Sequence, residues 1–278
     1  HGSRWLIGDR DYNKPVVWLE KADSLGKLTS KGKDVLAKLR IMRDAALGRD
    51  GELTQRGALQ HKQIAERMLK NFPQIFAGKT NVDAKSTVVI RCILSMENAL
   101  QEMTKMNPQL NITHDASYHD MYYMNYDDTL LFKKRMPTSA MVPYTEFCKN
   151  HEHPERVMRL LFNDDDYWKN HLHANKLYEV LFKQASNVQS TELRKSMSLY
   201  DLFTDDEIYD LWQINNAWWY INYGACPLNG GKQPYSQRNL LRKIITDADS
   251  CIALPHPGAT LRYGHDTMVM PLTCLMDL

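Results

Sequence analysis

The sequence contains no apolar run that approaches the roughly 18 residues a membrane span requires. It also carries little net charge, because 35 basic and 33 acidic residues leave +2 at pH 7. A nucleic-acid-binding domain usually presents a strongly basic face, so this balance argues against nucleic acid as a partner. These absences predict a soluble chain. Because the net charge is small, any anion that the chain binds must be bound by a local group of basic residues.

Cysteine is scarce, and no two cysteines have the CxxC spacing that many zinc and redox motifs use. With 278 residues, of which 43% are hydrophobic and 24% charged, the chain is long enough for one large domain or a domain with a sizeable insertion. Its composition is typical of neither a disordered segment nor a coiled coil. The five cysteines are Cys92, Cys148, Cys226, Cys251 and Cys274.

The chain begins with His1-Gly2-Ser3-Arg4 and has no initiating methionine. Taken alone, His-Gly-Ser fits equally well the remainder of a purification tag and the end of a motif whose beginning is absent. The glycine would allow the backbone to approach a ligand closely. Both interpretations are open at this point.

Hydrophobic periodicity predicts a helix from about Thr54 to Lys70, in which Ile64, Met68 and Leu69 recur at helical spacing. Pro73 follows shortly after, as is common beyond a helix end. His61 falls inside this helix and is interpreted as a structural residue.

Two segments predict a strand that leads into a helix. The β-branched stretch STVVIR ends in Arg91 and precedes a helical pattern. The stretch TLRY leads through Gly264 to His265, Asp266 and an apolar helix. Ligands of open α/β sheets bind at the carboxyl ends of strands, and helix N-termini attract anions. The pattern therefore predicts an anion site that includes Arg91, His265 and Asp266.

Together with His1 and Arg4, these side chains suit a tetrahedral oxyanion, because guanidinium groups match phosphate geometry. Each also has a structural alternative. Asp266 could cap the helix that follows it, and its position alone favours neither role. His265 by itself is more often a core or loop histidine, and Arg91 a surface charge at a helix start.

From about residue 104 to 239 the sequence becomes rich in Tyr, Trp, Met and Asp, with several amphipathic stretches. We expect an α/β core of residues 1–103 and 240–278, with a mixed central sheet and helices on both faces, interrupted by an α-helical insertion at 104–239. The aromatic residues of one predicted helix, DDEIYDLWQINNAWWYI, are interpreted as core packing. They are Tyr209, Trp212, Trp218, Trp219 and Tyr220.

Four segments resemble the motifs of the histidine phosphatase superfamily, in that family's order. Residues 1–4 are similar to R-H-G-x-R without its first arginine, and residues 53–61, LTQRGALQH, to L-T-x-x-G-x-x-Q-H. Residues 86–96, STVVIRCILSM, are similar to S-T-x-x-x-R, and residues 262–267, RYGHDT, to the terminal His-Asp motif. With the aromatic-rich insertion, the chain most resembles the clade-two bacterial multiple inositol polyphosphate phosphatases.

Two positions differ from the usual pattern of these relatives. Leu6 stands where many clade-two members carry proline, and His265-Asp266-Thr267 replaces the His-Ala-Glu of many inositol polyphosphate phosphatases. The tag interpretation of His1 becomes much less favourable. We expect that the sequence begins inside the first motif, and the last helix stops without a cap signal, so both ends look truncated.

The resemblance implies phosphomonoester hydrolysis without metal or other cofactor. His1 would attack phosphorus and form a phosphohistidine. Arg4, Arg91 and His265 would bind the phosphate oxygens and stabilise the transition state. Asp266 would protonate the leaving alkoxide as general acid.

The implied partner is a small phosphate ester, above all an inositol polyphosphate such as phytate. Lys85 and the basic run Lys133, Lys134 and Arg135 are candidates for binding further phosphates, although such a run is more often a solvated face. The polar stretch 113–120, THDASYHD, has no metal-ligand spacing and is interpreted as a loop near the cleft.

Two alternatives are a broad-specificity acid phosphatase for simpler esters and a catalytically inactive phosphate-binding relative. The resemblance also implies a periplasmic or secreted location. The sequence predicts no oligomeric state.

Overall fold

The structure is a computed structural model, and it describes residues 1–125 and 127–278. This part of the chain forms thirteen α-helices and three β-strands. The strands are β1 (Asn81–Ser86), β2 (Asn111–Asp115) and β3 (Gly258–Tyr263). The helices are α1 (Arg10–Ser24), α2 (Ser30–Ala46), α3 (Gln55–Asn71), α4 (Pro73–Phe76), α5 (Ile90–Met106), α6 (Thr129–Phe132), α7 (Thr138–His151), α8 (Glu155–Leu161), α9 (Asp165–His171), α10 (Ala174–Val188), α11 (Asp205–Tyr223), α12 (Arg238–Ile252) and α13 (Asp266–Leu275).

The chain forms two compact units. Unit 1 contains His1–Ser3, Gln55–Tyr144 and Ala217–Leu278. Unit 2 contains Arg4–Thr54 and Thr145–Asn216. Both units are assembled from segments that are far apart in the sequence.

These units do not coincide with the predicted division into 1–103 plus 240–278 and 104–239. Helices α1 and α2 lie within the predicted core segment, but their apolar faces pack with those of α8 and α10 in one hydrophobic cluster. This packing joins the early helices to residues 145–216, while 104–144 and 217–239 belong to the unit that contains the sheet.

The sheet of unit 1 has the order β2-β1-β3, and both pairings are parallel. The predicted α/β class is confirmed, but the prediction of a mixed sheet is wrong for the described residues. Alternate residues of β1, Val82, Ala84 and Ser86, are buried on one face. Helices α3 and α5, together with Phe76 of α4, supply the other buried apolar side chains of that core.

The opposite face of the sheet is charged. Arg262 of β3 forms ion pairs with Asp83 of β1 at 3.0 Å and with Asp247 of α12 at 3.2 Å. Alternation along β1 places polar and apolar side chains on different faces, so a mixed composition is compatible with a central strand. The observed strand lies earlier in the sequence than the predicted strand STVVIR. Strand β1 ends at Ser86, and residues 87–89 connect it to α5.

Unit 2 is built on a helical core in which apolar residues of α1, α2, α8 and α10 pack together. Thr29 caps α2 by accepting a hydrogen bond from the backbone nitrogen of Gly32 at 3.0 Å. Gly32 also lies directly against the carbonyl oxygen of Leu161, where a side chain would collide. A glycine at this helix position is therefore needed for close packing.

The predicted burial of the five aromatic residues in α11 is wrong for four of them, whereas Trp219 is half-buried. Tyr209, Trp212, Trp218 and Tyr220 are 58%, 50%, 37% and 51% exposed. The apolar face of the helix in unit 2 is instead formed by aliphatic residues such as Leu211, which is 4% exposed. The aliphatic face, which was not considered in the prediction, is the buried one in this part of the helix.

None of the helices in residues 1–125 and 127–278 has the combination of length and apolar character that crossing a membrane requires.

Candidate active site

The carboxyl ends of β1 and β3 lie side by side, and each leads into a helix. After β1, a short connection places Arg91 in the first turn of α5. After β3, Gly264 precedes His265, which occupies the N-cap position of α13, and Asp266 is the first helical residue. The predicted strand-to-helix junctions at Arg91 and at His265-Asp266 are confirmed.

His1 lies at the same edge of the sheet. Its amino nitrogen donates to the carbonyl oxygen of Gly264 at 2.7 Å, and its ring meets the ring of His265 edge to face, with centroids 5.5 Å apart. The Nδ1 atom of His1 is 2.9 Å from the carbonyl oxygen of Gly2. Because a carbonyl only accepts hydrogen bonds, the proton belongs on Nδ1, and the lone pair of Nε2 is available as a nucleophile.

Gly2 and Ser3 fix the backbone next to His1. The nitrogen of Gly2 donates to Oγ of Ser95 at 3.1 Å, and the nitrogen of Ser3 donates to Oε1 of Gln60 at 2.8 Å. A Cβ atom on Gly2 would collide with the backbone of Gly57. Ser95 lies in the motif of residues 86–96 and Gln60 in the motif of residues 53–61, but their contacts with the first residues of the chain were not predicted.

Arg91 and His265 form a pair of cationic or polar groups beside His1. The Nη2 atom of Arg91 is 3.4 Å from Nδ1 of His265, and the ring of His265 is 4% exposed. Among the described residues, Nε of Arg91 is buried without a hydrogen-bond partner. A buried guanidinium donor without a partner is costly, and an oxyanion at this position would satisfy it.

Asp266 is exposed at the start of α13. Its Oδ1 atom accepts a hydrogen bond from the backbone nitrogen of Thr267 at 2.9 Å. The carboxylate thus satisfies one first-turn amide and still faces solvent, so helix capping and proton transfer are compatible.

Arg4 belongs to unit 2, outside the group that contains His1, Arg91 and His265. It forms an antiparallel bridge with Leu53, and its Nη1 donates to the carbonyl of Trp5 at 2.9 Å. Its role in binding phosphate therefore stays a prediction.

His61 packs near this site without joining it. Its ring lies 5.8 Å from the ring of Tyr263. Burial lowers the pKa of His61 to about 4, and the amino group of His1 adds to this shift. The ring is therefore neutral at pH 7.

Of the four basic residues that are candidates for binding additional phosphates, two are paired with carboxylates and two are exposed. Lys85 pairs with Asp120 at 2.8 Å, and Arg135 pairs with Asp127 at 2.6 Å. Lys133 and Lys134 are exposed. In the THDASYHD stretch, His114 lies on β2 and pairs with Glu97 at 2.7 Å. The described residues contain no group of three or more side chains suited to a metal.

The fold of the chain is similar to those of a solved multiple inositol polyphosphate phosphatase and a solved phytase. The multiple inositol polyphosphate phosphatase of Bifidobacterium longum in complex with phosphate matches with a TM-score of 0.72 and 15% identity. That match covers 100% of this chain and 72% of the other. The complex of the B. longum protein with inositol hexasulfate matches with a TM-score of 0.69 and 14% identity, over 100% of this chain and 74% of the other.

The phytase from D. castellii matches with a TM-score of 0.69 and 12% identity, over 100% of this chain and 60% of that chain. No protein-family model matches the sequence, and neither does a curated protein. The resemblance found in the sequence is confirmed at the level of the fold.

Proposed function

We propose that the protein hydrolyses phosphate monoesters without a metal, through a phosphohistidine on His1, and that inositol polyphosphates such as phytate are its substrates. The observation that carries this proposal is the arrangement of His1. Its Nδ1 is bound to the Gly2 carbonyl, its Nε2 lone pair is available, and its ring contacts His265 next to Arg91.

In the first step, Nε2 of His1 attacks phosphorus in line with the bond to the leaving oxygen. The N–P bond forms as the P–O bond breaks, and Asp266 transfers its proton to the departing alkoxide. In the second step, water attacks the phosphohistidine, its proton passes to Asp266, and inorganic phosphate leaves. Because Asp266 must start protonated, we expect activity to be highest at acidic pH.

Positive charge for the transition state would come from guanidinium groups. Arg91 supplies donors at the sheet edge, including the buried Nε that lacks a partner in the described part of the chain. His265 lies within hydrogen-bond reach of Arg91 and would bind the same phosphoryl group. Arg4 would add a second guanidinium, as the resemblance implies.

The choice of inositol polyphosphate is supported by the fold neighbours, one of which was solved in complex with inositol hexasulfate and another of which is a phytase. A second candidate is a phosphatase for simpler monoesters. It is favoured by the ion pairs of Lys85 and Arg135, which reduce the positive charge left for additional phosphates. As the resemblance implies, we also propose export to the periplasm or beyond.

The test is release of inorganic phosphate from inositol hexakisphosphate and from an aryl phosphate at about pH 5. His1→Ala should lower kcat by a thousandfold or more, on the order of other lost nucleophiles. Arg91→Lys should lower kcat/KM by about a hundredfold, because one ammonium cannot replace a guanidinium fork. An arginine added before His1 should raise kcat by about a hundredfold if it binds phosphate as the resembling motif implies.

The matched control is His256→Ala, since His256 is exposed and its Nδ1 lies 3.4 Å from the carbonyl of its neighbour Pro257. It should retain wild-type activity. Rapid quenching in base of Asp266→Asn during turnover of an aryl phosphate, whose leaving group needs no protonation, should trap a phosphorylated His1 because the second step is slowed. If neither the wild type nor the arginine-extended form releases phosphate from either ester, the catalytic proposal is wrong and the phosphate-binding alternative is favoured.

A further inference from the structure

Two buried side chains contact the ring of His265: Thr87 approaches Nε2, and Cys92 lies nearer to Nε2 than to Nδ1, from which its sulfur is 3.8 Å. The Oγ1 atom of Thr87 lies 3.1 Å from Nε2 of His265. The Sγ atom of Cys92 lies 3.5 Å from the same nitrogen and 3.3 Å from the carbonyl oxygen of Gly264. Thr87 and Cys92 are both fully buried, so they cannot touch a substrate.

The hydrogen-bond donors and acceptors around His265 favour one tautomer of its ring. The guanidinium of Arg91 can only donate, so Nδ1 of His265 must be the acceptor of that contact. The proton of a neutral ring then lies on Nε2 and is donated to Oγ1 of Thr87. With Nε2 as acceptor instead, two donors would face each other at Nδ1.

The chain of hydrogen bonds continues past Thr87. The hydroxyl of Thr87 interacts with the thiol of Cys92, and the thiol can donate to the carbonyl of Gly264. Burial raises the pKa of Cys92, so the thiol keeps its proton for that bond. The Gly264 carbonyl also accepts a hydrogen bond from the amino nitrogen of His1. This series of contacts therefore connects His265 to His1, the proposed nucleophile.

We propose that Thr87 and Cys92 are positioning residues that hold the proton of His265 on Nε2, so that phosphate binding is accompanied by uptake of a proton at Nδ1. A lone pair on Nδ1 accepts from Arg91 in the free protein but would repel a phosphate oxygen. His265 can donate to that oxygen only after Nδ1 is protonated, while Nε2 continues to donate to Thr87. The link to phosphate rests on the proposed function, whereas the tautomer of the free protein does not.

Other titratable groups face the ring of His265 and must be separated from it. His1 and Asp266 lie on the solvent side, Arg91 stays charged, and Cys92 lies behind the ring. The test therefore needs a ligand that does not itself take up protons. It also needs variants in which each neighbouring group that can take up a proton has been replaced.

The first experiment determines the tautomer in the free protein by ¹⁵N NMR of histidine-labelled chain, with the His265 signals identified by their loss in His265→Asn. We expect the Nε2–H form in the wild type and in Thr87→Ser. Thr87→Val has nearly the same shape but leaves Nε2–H without its acceptor; because Arg91 still disfavours a proton on Nδ1, we expect a mixture of tautomers rather than a complete change. An Nδ1–H ring in the wild type, or an unchanged ring in Thr87→Val, would overturn the proposal.

The second experiment measures proton uptake by calorimetry at about pH 7.5, in buffers of different ionisation enthalpy, when inositol hexasulfate binds. Because Nδ1 of His265 accepts from Arg91 in the free protein, the ring starts neutral, so close to one proton should be taken up. The uptake should persist in His1→Asn and Asp266→Asn and disappear in His265→Asn. Uptake that disappears in His1→Asn but persists in His265→Asn would contradict the proposal.

The third experiment is steady-state kinetics on the proposed reaction. Thr87→Val should lower kcat/KM by about tenfold, mainly through KM, while Thr87→Ser stays within about twofold of the wild type. Cys92→Ala should have a smaller effect that Cys92→Ser reverses. Equal losses in Thr87→Val and Thr87→Ser would indicate packing rather than hydrogen bonding. A wild type without activity but with the expected tautomer and proton uptake would overturn the proposed function and not this inference.

Discussion

Acidification should destabilise the protein through His61. Burial lowers the pKa of this residue to about 4, whereas an unfolded histidine titrates near 6.5. Between these two values the unfolded chain binds a proton that the folded chain does not. The contribution of His61 to stability is therefore complete above about pH 6.5, and it is lost as the pH falls towards 4.

The size of the effect follows from the two pKa values. A difference of about 2.5 pH units corresponds to at most about 3.4 kcal/mol. His61 is only partly buried, so solvent screening reduces this limit, and we expect about 1 to 2 kcal/mol. For a chain of this size, such a change lowers Tm by a few degrees.

The assay is thermal unfolding of the wild type and of His61→Gln between pH 7 and pH 4. Glutamine keeps a polar side chain but does not titrate, so its stability should fall less with acidification, by about 1 to 2 kcal/mol over this range. His256→Gln, an exposed control, should follow the wild type. Parallel pH profiles for the wild type and His61→Gln would refute the reasoning. The proposed phosphatase assay at about pH 5 lies inside this window, so activity and stability should be measured together.

Two further variants test the packing described above. Gly2→Ala places a Cβ against the backbone of Gly57, so it should displace His1 and reduce phosphate release at least tenfold. Gly8→Ala, where nothing lies within 4 Å of the added Cβ, should have little effect; similar activities in the two variants would contradict this. Leu211→Ala should lower the free energy of unfolding, measured in urea, by about 2 to 5 kcal/mol, because Leu211 is buried. Trp212→Ala should lower it by less than about 1 kcal/mol, because Trp212 is 50% exposed. A larger loss for Trp212→Ala would show that its ring is covered in solution.

The sequence was sufficient to predict the elements that carry the candidate site. Arg91, His265 and Asp266 lie at strand-to-helix junctions, as expected, because a strand followed at once by a helical pattern leaves little choice of connection. The position of β1 was less predictable. Its sequence NVDAKS contains only two apolar residues, and its polar side chains are accommodated because the second face of the sheet is charged.

Long-range packing was not predictable from local patterns. The association of residues 4–54 with 145–216 depends on which apolar faces meet, and no single segment encodes that choice. The same holds for α11, where periodicity is compatible with burial of either the aromatic or the aliphatic face. The contacts of Thr87 and Cys92 with His265 also join positions about 175 residues apart, so only the folded chain reveals them.

The bond between the amino nitrogen of His1 and the carbonyl of Gly264 spans 263 positions of the chain. During synthesis, His1 would emerge from the ribosome long before the strand that holds it in place. A nascent chain that lacks β3 and the start of α13 lacks the Gly264 carbonyl that the amino nitrogen of His1 contacts, and it lacks His265 and Asp266. On the proposed mechanism, catalysis can therefore begin only after nearly the whole of this chain has been translated and folded, and a single proteolytic cut before β3 that released the last segment would abolish it.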